Sequence, residues 1–295
     1  MTWTRRSFAM AAAAASVSAA HPRTVDPTIV EAGFKMTEGP VWTPRASLLF
    51  TELRRSEVRE WRPGASESVL IRSDDSQPNG LAFSPSGVLH MCEMRGRRVS
   101  AWRNGAAVTV VDRYQDKPLN SPNGLVFDAD GGIYFTDPPF GLRRRDNDPA
   151  KKLSFNGVFY QPPKGDLTLM TAQLSRPNGI ALIDDGARLV VSNSDPKGRF
   201  WVTIDLKAPG RPGKMSTFAV LPKAEPRGAP DGMAVGPDGC LYATGADAIW
   251  RLNKEGRMNT VARLAADRPS NCAVGGPENT TLFITGRKAV YQLAL

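Results

Sequence analysis

The sequence predicts an all-β chain folded as a six-bladed β-propeller, on three observations. The first is a short phrase: proline, then Asn or Asp, then Gly. It recurs at Pro78-Asn79-Gly80, Pro122-Asn123-Gly124, Pro177-Asn178-Gly179 and Pro230-Asp231-Gly232, each time followed directly by an apolar stretch (GLAF, GLVF, GIAL, GMAV). The second is what comes next in each unit. About four short runs rich in β-branched and aromatic residues follow, broken by Gly, Pro and Asp turns. The third is the count. Two altered copies, TEGPVW at 37–42 and PSNCAV at 269–274, make six units starting at Glu38, Asn79, Asn123, Asn178, Asp231 and Asn271, 40 to 55 residues apart. A period of this size with four strands per unit is the pattern of propeller blades.

In chain order, the first unit runs from TEGPVW through a turn to LLFTEL. The second has a turn at 84–87, then VLHMCEM, RVSAW and AAVTVV. The third has a turn at 128–131, IYFTD, a charged insertion at 142–155 and GVFYQ. The fourth carries RPNGIAL and VSNSDP; the fifth has a turn at 237–239, CLYATG, AIWRL and TVARL. The sixth supplies three strands, ending in AVYQLAL at Leu295, while an orphan apolar run, TIVEAGF at 28–34, precedes the first unit. Adding that run as the outer strand of the last blade closes the ring and removes an open sheet edge. Four-stranded antiparallel blades in a single domain over 21–295 are therefore expected.

Residues 1–20 are read as a leader. Arg5 and Arg6 precede an alanine-rich apolar stretch, and small residues stand at Ser18, Ala19 and Ala20. Thr4-Arg5-Arg6-Ser7-Phe8 resembles the twin-arginine export signal. The stretch Phe8 to Ala20 is too short to span a bilayer, and no cysteine lies near the cleavage region to carry a lipid. The expectation is a periplasmic or secreted protein that engages the twin-arginine export machinery and has no stable membrane anchor.

The formal net charge is +9, of which Arg5 and Arg6 supply two. That favours anionic partners in general. Basic residues are scattered among acidic ones, with runs only at Arg143-Arg144-Arg145 and Lys151-Lys152, so no nucleic-acid partner is expected. Three cysteines without CxxC spacing, and two distant histidines, argue against zinc or redox chemistry. Cys92, Cys240 and Cys272 read as small buried hydrophobes.

In a propeller the first strand of each blade lines the axis. The phrase is expected just before that strand, so the six phrase residues stand around one end of the axis. They are Glu, Asn, Asn, Asn, Asp and Asn: a ring of carboxylate and amide oxygens, which suits a hard cation. Asn-Gly and Asp-Gly are also ordinary turn dipeptides. Each unit already has its own hairpin turn about six residues later, however, and turn chemistry does not call for Glu38.

From about residue 30 onward the chain resembles the senescence-marker-protein/gluconolactonase/luciferin-regenerating-enzyme-like family. The resemblance rests on Glu38-Gly39-Pro40-Val41-Trp42, LNSPNGLVFDADGGIYFTDPPFGL at 119–142, RPNGIAL at 176–182, VSNSDP at 191–196 and APDGMAV at 229–235, and is nearest to the bacterial gluconolactonase-like branch. It implies a six-bladed propeller with one catalytic divalent cation on the axis, usually Ca2+, with Mg2+, Mn2+ or Zn2+ as alternatives. The implied metal ligands are Glu38, Asn123, Asn178 and Asp231. Asn79 and Asn271 are then ring neighbours that, with Asn123, are assigned to substrate or water. Animal members place an arginine two residues before the first of the paired Asn to grip sugar hydroxyls. Ser121 stands there in this chain, so that mode of sugar recognition does not carry over.

The implied reaction is hydrolysis of a small-molecule lactone, a sugar lactone by default, to the hydroxy acid. Asp231 is the expected catalytic base, because it is the ring carboxylate on the PDG phrase. Two other readings stand beside it: hydrolysis of phosphotriesters or other esters on the same metal site, and a non-catalytic propeller that binds a ligand on its top face. Outside the ring, Asp137 and Phe140 form either part of the mouth or a rigid Pro-Pro turn. Trp42 is expected to wall the pocket or, by preference, to pack between blades, Asn193 to orient a neighbour or fill a strand end, and the 142–155 insertion to be a lid or a solvated loop.

Overall fold

The computed structural model describes residues 26–225, 228–264 and 266–295. The leader expected over residues 1–20 lies outside them. Six four-stranded antiparallel sheets form the ring of a six-bladed β-propeller, as the repeats require. The innermost strands are Thr37–Trp42, Pro78–Phe83, Leu125–Phe127, Pro177–Ile183, Met233–Val235 and Pro269–Gly275. A two-stranded hairpin, Arg113–Tyr114 with Lys117–Pro118, lies between blades 2 and 3. Strand Thr28–Ala32 pairs antiparallel with Ala289–Ala294 as the outer strand of blade 6, so the closure expected from the orphan run is present.

The core is divided into six apolar clusters, one at each seam between adjacent blades. Phe34, Leu48, Phe50 and Trp61 meet Phe283 and Val290 at the closing seam. Tyr134, Tyr160, Leu189 and Val191 fill the seam between blades 3 and 4, and Trp201 and Trp250 fill the next one. Trp42 stacks on Phe283 with ring centroids 5.0 Å apart, which is the inter-blade packing expected of it. Flat, twisted sheets present apolar side chains on both faces, so each blade buries itself only against its two neighbours.

The phrase differs from expectation in one respect. In blades 1, 2, 4 and 6 it lies inside the inner strand, at a β-bulge, rather than just ahead of it. Pairing runs Glu38↔Thr51 then Val41↔Leu49, Pro78↔Glu93 then Leu81↔Met91, Pro177↔Asn193 then Ile180↔Val191, and Pro269↔Gly286 then Asn271↔Thr285. Each time the inner strand holds one extra residue. A bulge re-aims the local side chain.

The phrase glycine has a second task. A Cβ on Gly39 would lie 1.9 Å from the Asn79 carbonyl oxygen, one on Gly80 2.4 Å from that of Asn123, and one on Gly179 2.2 Å from that of Asp231. Each glycine therefore lets its own blade close onto the phrase backbone of the next. Phrase carbonyls are also tied from the second strands. Thr51 Oγ1 donates to Asn79 O (3.2 Å), Thr136 Oγ1 to Asn178 O (2.6 Å), and Ser192 Oγ to Asp231 O (2.9 Å). Thr51, Cys92, Thr136, Ser192, Thr244 and Thr285 occupy equivalent positions in the six blades and are all fully buried.

Candidate metal centre and its mouth

An up-and-down blade sends its entry loop and the turn after its second strand to the same end of the ring. The phrases and those turns therefore share one face. A cavity of about 410 Å³ opens there, with Glu38, Asn79, Asn123, Asn178 and Asp231 among its lining residues. Five of the six ring residues are thus brought together. The sixth, Asn271, lines a separate 60 Å³ channel on the axis, walled by the phrase glycines Gly39, Gly80, Gly124, Gly179 and Gly232.

Glu38 is almost completely buried at 4 % exposure, whereas Asp231 keeps one side open to the cavity. Glu38 Oε2 accepts the N–H of Gly39 at 2.8 Å and Nδ2 of Asn271 at 2.9 Å. Asn271 in turn accepts the N–H of Cys272 on its Oδ1 (2.9 Å). Its place is beneath Glu38, holding that carboxylate, and not in the mouth. Asn178 Nδ2 donates to Ser194 Oγ at 2.9 Å, and Ser194 Oγ donates to Pro230 O, next to Asp231. Asn79 Nδ2 points to Met94 Sδ at 3.0 Å, and Asn123 Nδ2 lies 4.0 Å from the same sulfur. Met94, at 6 % exposure, thus braces two ring amides from the second-strand turn of blade 2.

The electrostatics of the ring are unbalanced. Burial raises the pKa of Glu38 against the opposing hydrogen bonds from Asn271 and Gly39. Asp231 is raised well above the ordinary carboxylate range, first by burial and then by the charge of Glu38, with hydrogen bonds from Asn178 and Gly232 opposing. Two carboxylates face one another with no cationic partner in ion-pair contact among the described residues. Asn79 Oδ1 is buried with no hydrogen-bond partner. A recessed pair of acids, amide oxygens and an orphaned carbonyl oxygen form an oxygen-only donor set short of positive charge, which fits a hard divalent cation. Among the described residues no cluster of three or more His, Cys, Asp and Glu side chains exists. The amides therefore have to supply the remaining donors.

The neighbouring residues sort by burial. Asp137 is fully buried and accepts the N–H groups of Asn120 (Oδ2, 2.7 Å) and Ser121 (Oδ1, 2.7 Å), so it shapes the loop that leads to Asn123. Phe140 lines the cavity. Asn193 Oδ1 accepts the Arg176 N–H at 2.9 Å and its Nδ2 donates to Gly198 O at 2.7 Å, which makes it an orienting strand-end amide. Burial pushes the Cys272 thiol up to about 12, and its Sγ donates to Tyr242 O at 3.2 Å, leaving it inert. The 142–155 insertion contains a short 3-10 turn, Arg145–Asn147, and reaches the mouth through Arg145.

Sequence reasoning missed the rim. Arg54, Arg145, Arg176, Arg268 and Arg287 all line the cavity. The available signal was topological: Arg54, Arg145 and Arg287 follow second strands, and Arg176 and Arg268 precede first strands, all of which turn at the mouth end.

Residues 36–288 match the SMP-30/Gluconolactonase/LRE-like region. The gluconolactonase of Zymomonas mobilis is 32% identical over 286 residues, spanning 90% of this chain and 80% of the relative. Among solved structures, a gluconolactonase from Xanthomonas campestris superposes with a TM-score of 0.81 at 26% identity, over 96% of this chain and 99% of that one. A regucalcin from Agrobacterium tumefaciens, described as a calcium-binding protein, shares the fold with a TM-score of 0.74 at 15% identity, over 92% and 93% of the two chains. With the family region matched over residues 36–288 and a relative 32% identical over 90% of this chain, the chain belongs to the SMP-30/gluconolactonase/LRE-like family.

Proposed function

We propose that the chain is a divalent-cation-dependent lactonase that opens a sugar or related lactone to its hydroxy acid. The observation that carries this reading is the pairing of Glu38 and Asp231 with ring amides at the floor of an open cavity. The relationship to gluconolactonases supports the lactone as substrate. Glu38, Asn123, Asn178 and Asp231 would hold the cation, with Ca2+ favoured by the oxygen-only donors. When bound, the cation supplies counter-charge to the acid pair and Lewis acidity toward the ring carbonyl.

The remaining work falls to the chain itself. Glu38, fixed from below by Asn271 and the Gly39 N–H, keeps its orientation. Asp231 is the carboxylate open to the cavity, and Glu38 raises its proton affinity. It takes a proton from the attacking water as that water's oxygen bonds to the carbonyl carbon. The ring C–O bond then breaks, and Asp231 returns the proton to the departing alkoxide. One lactone and one water give one hydroxy acid. Phe140 and Met94 provide apolar wall beside the reacting ring. We also place the mature protein outside the cytoplasm, on the strength of the Thr4-Arg5-Arg6-Ser7-Phe8 pattern.

The test is proton release from a panel of sugar and aliphatic lactones, after chelation and after calcium is restored, with calcium binding followed by titration calorimetry. Activity lost on chelation and regained with calcium is expected. Glu38→Gln should weaken calcium binding. Asp231→Asn should lower turnover by about 10²-fold or more while some calcium binding persists. Wild-type turnover in Asp231→Asn removes the base assignment. Tight calcium binding with no turnover of any lactone overturns the reading in favour of a ligand-binding propeller or another esterase.

A further inference from the structure

The rim of the mouth is as basic as its floor is acidic. Its five arginines divide into two groups. Arg145 and Arg176 belong to blades 3 and 4, where Arg176 forms an ion pair with Asp146 and Arg145 lies over the Phe140 ring at 6.0 Å. Arg54, Arg268 and Arg287 come from blades 1 and 6, which are neighbours across the ring closure. Among the described residues none of these three guanidinium groups has a carboxylate in ion-pair contact or a hydrogen-bond acceptor.

The loops that carry two of the three are held by one buried acid. Asp267, at 6 % exposure, accepts the N–H of Arg268 and the N–H of Arg287 on Oδ1, each at 2.8 Å. Its Oδ2 accepts the Lys288 N–H at 2.8 Å and the Tyr291 hydroxyl at 3.1 Å. Asp267 is thus saturated by backbone and tyrosine donors. It orders the arginine loops without neutralising their side chains. Three guanidinium groups without acidic partners leave the mouth of the cavity with positive charge that an entering anion would neutralise.

We infer that Arg54, Arg268 and Arg287 form a subsite for an anionic substituent on the substrate, a carboxylate or a phosphate, so that the preferred lactone is acidic. The inference rests on the lactonase reading of the same cavity. Planar guanidinium groups match carboxylate and phosphate oxygens two at a time, whereas a neutral polyol offers them only single hydroxyl acceptors. The geometry also sets the direction of binding. With the acid pair and its counter-charge on the floor, the unpaired positive charge of the cavity lies at the rim, so the charged end sits at the blade 6–blade 1 rim and the lactone carbonyl reaches the ring of oxygens.

The experiment compares kcat/KM for glucono-1,5-lactone with that for the same ring bearing a carboxylate or a phosphate at C6. One of the acidic lactones is expected to be preferred by at least ten-fold, and the two arms tell carboxylate from phosphate. In Arg54→Gln, Arg268→Gln and Arg287→Gln the acidic-to-neutral ratio should fall by ten-fold or more in at least two variants. Raising the ionic strength should lower the wild-type ratio. A wild-type ratio of one or below, or a ratio that none of the three substitutions moves, overturns the subsite. Should no lactone turn over at all, the lactonase reading fails separately. Titration calorimetry with the ring-opened C6 dicarboxylate and C6 phosphate acids then decides. Binding weakened ten-fold in the variants upholds the anion subsite, and binding that is absent or unaffected overturns it.

Discussion

Gly179 shows how much a single residue decides in this fold. A Cβ there would lie 2.2 Å from the Asp231 carbonyl oxygen and 2.8 Å from the Gly232 Cα, both backbone atoms that cannot rotate away. Gly179→Ala should therefore move the segment that carries Asp231. We expect a stability loss of about 1–3 kcal/mol and a loss of turnover larger than that destabilisation explains. The comparison is Gly131→Ala, where the nearest atom to the added Cβ is a Pro163 side-chain carbon at 4.0 Å. Gly131 sits at φ +87°, so this control carries backbone strain but lies far from the mouth. Its turnover per folded molecule should be that of the wild type, measured with denaturant titrations alongside lactone assays. Equal turnover in both variants would remove the steric link between the phrase glycine and the site. The phrase was plain in the sequence in four copies and altered in two. Five of its six Asn, Asp or Glu residues meet at one end of the axis, as expected, but the reason for the glycine was not legible. The atom it makes room for belongs to the next blade, 40 to 55 residues away.

At the scale of elements, the second strand of a blade supports the first. In blades 1, 3, 4 and 5 a buried hydroxyl ties the neighbouring phrase, and in blades 1, 3 and 4 a polar side chain near the strand end orders the entry loop of its own blade. Asp137 is the clearest case, with both carboxylate oxygens accepting loop N–H groups at 2.7 Å. Burial nevertheless raises its pKa to about 7 against those donors and the charges of Arg97 and Lys151. A folded-state pKa above the unfolded value means that the folded chain binds the proton more tightly. The stability from this group is therefore fully present below about pH 4, its unfolded value. It is lost as the pH rises through about 7. Its slope is at most about 1.4 kcal/mol per pH unit. Asp137→Asn should flatten that part of the profile. It should also destabilise the fold by about 1–3 kcal/mol, because an amide cannot accept both N–H groups. Unfolding curves between pH 4 and 8 check both effects, and an unchanged pH slope in the variant would discard the assignment. The TDPPFG run was legible as a feature, but its two acting residues part company in space. Asp137 turns inward to its loop while Phe140 faces the mouth, and strand alternation alone does not decide which side of a blade faces a loop.

The whole molecule depends on closure. Strand Thr28–Ala32 seals blade 6, and Val30 packs against the cluster at the seam with blade 1. Without it, Ala289–Ala294 would present an open edge. A chain beginning at Gly33 should melt about 5 °C or more below one beginning at Asp26, given that each kcal/mol shifts Tm by about 2–4 °C in chains of this size. It should also self-associate. Calorimetry and size-exclusion chromatography test this, and an unaltered Tm would show that the seam holds without the strand. Closure also brings blades 1 and 6 side by side, and with them Arg54, Arg268 and Arg287.

By itself, the sequence determined what is local and repeated: six units, four strands to each, the turns, the recurrent phrase and the spare strand that completes the last blade. The repeated features follow from propensity, turn chemistry and pairing between segments a few residues apart, and each copy corroborates the others; the spare strand was legible because the last unit lacks a fourth. Only the tertiary structure decided which side chains share a space. It placed Asn271 under Glu38 rather than in the cavity, set Met94 against two ring amides, and gathered arginines from four blades at one rim. Met94 and the arginines carry no repeat signal, and the repeat that marks Asn271 does not tell its partner from those of the other five. Their meeting is imposed by the ring, which joins positions as distant in sequence as Arg54 and Arg287 and leaves no trace in either neighbourhood.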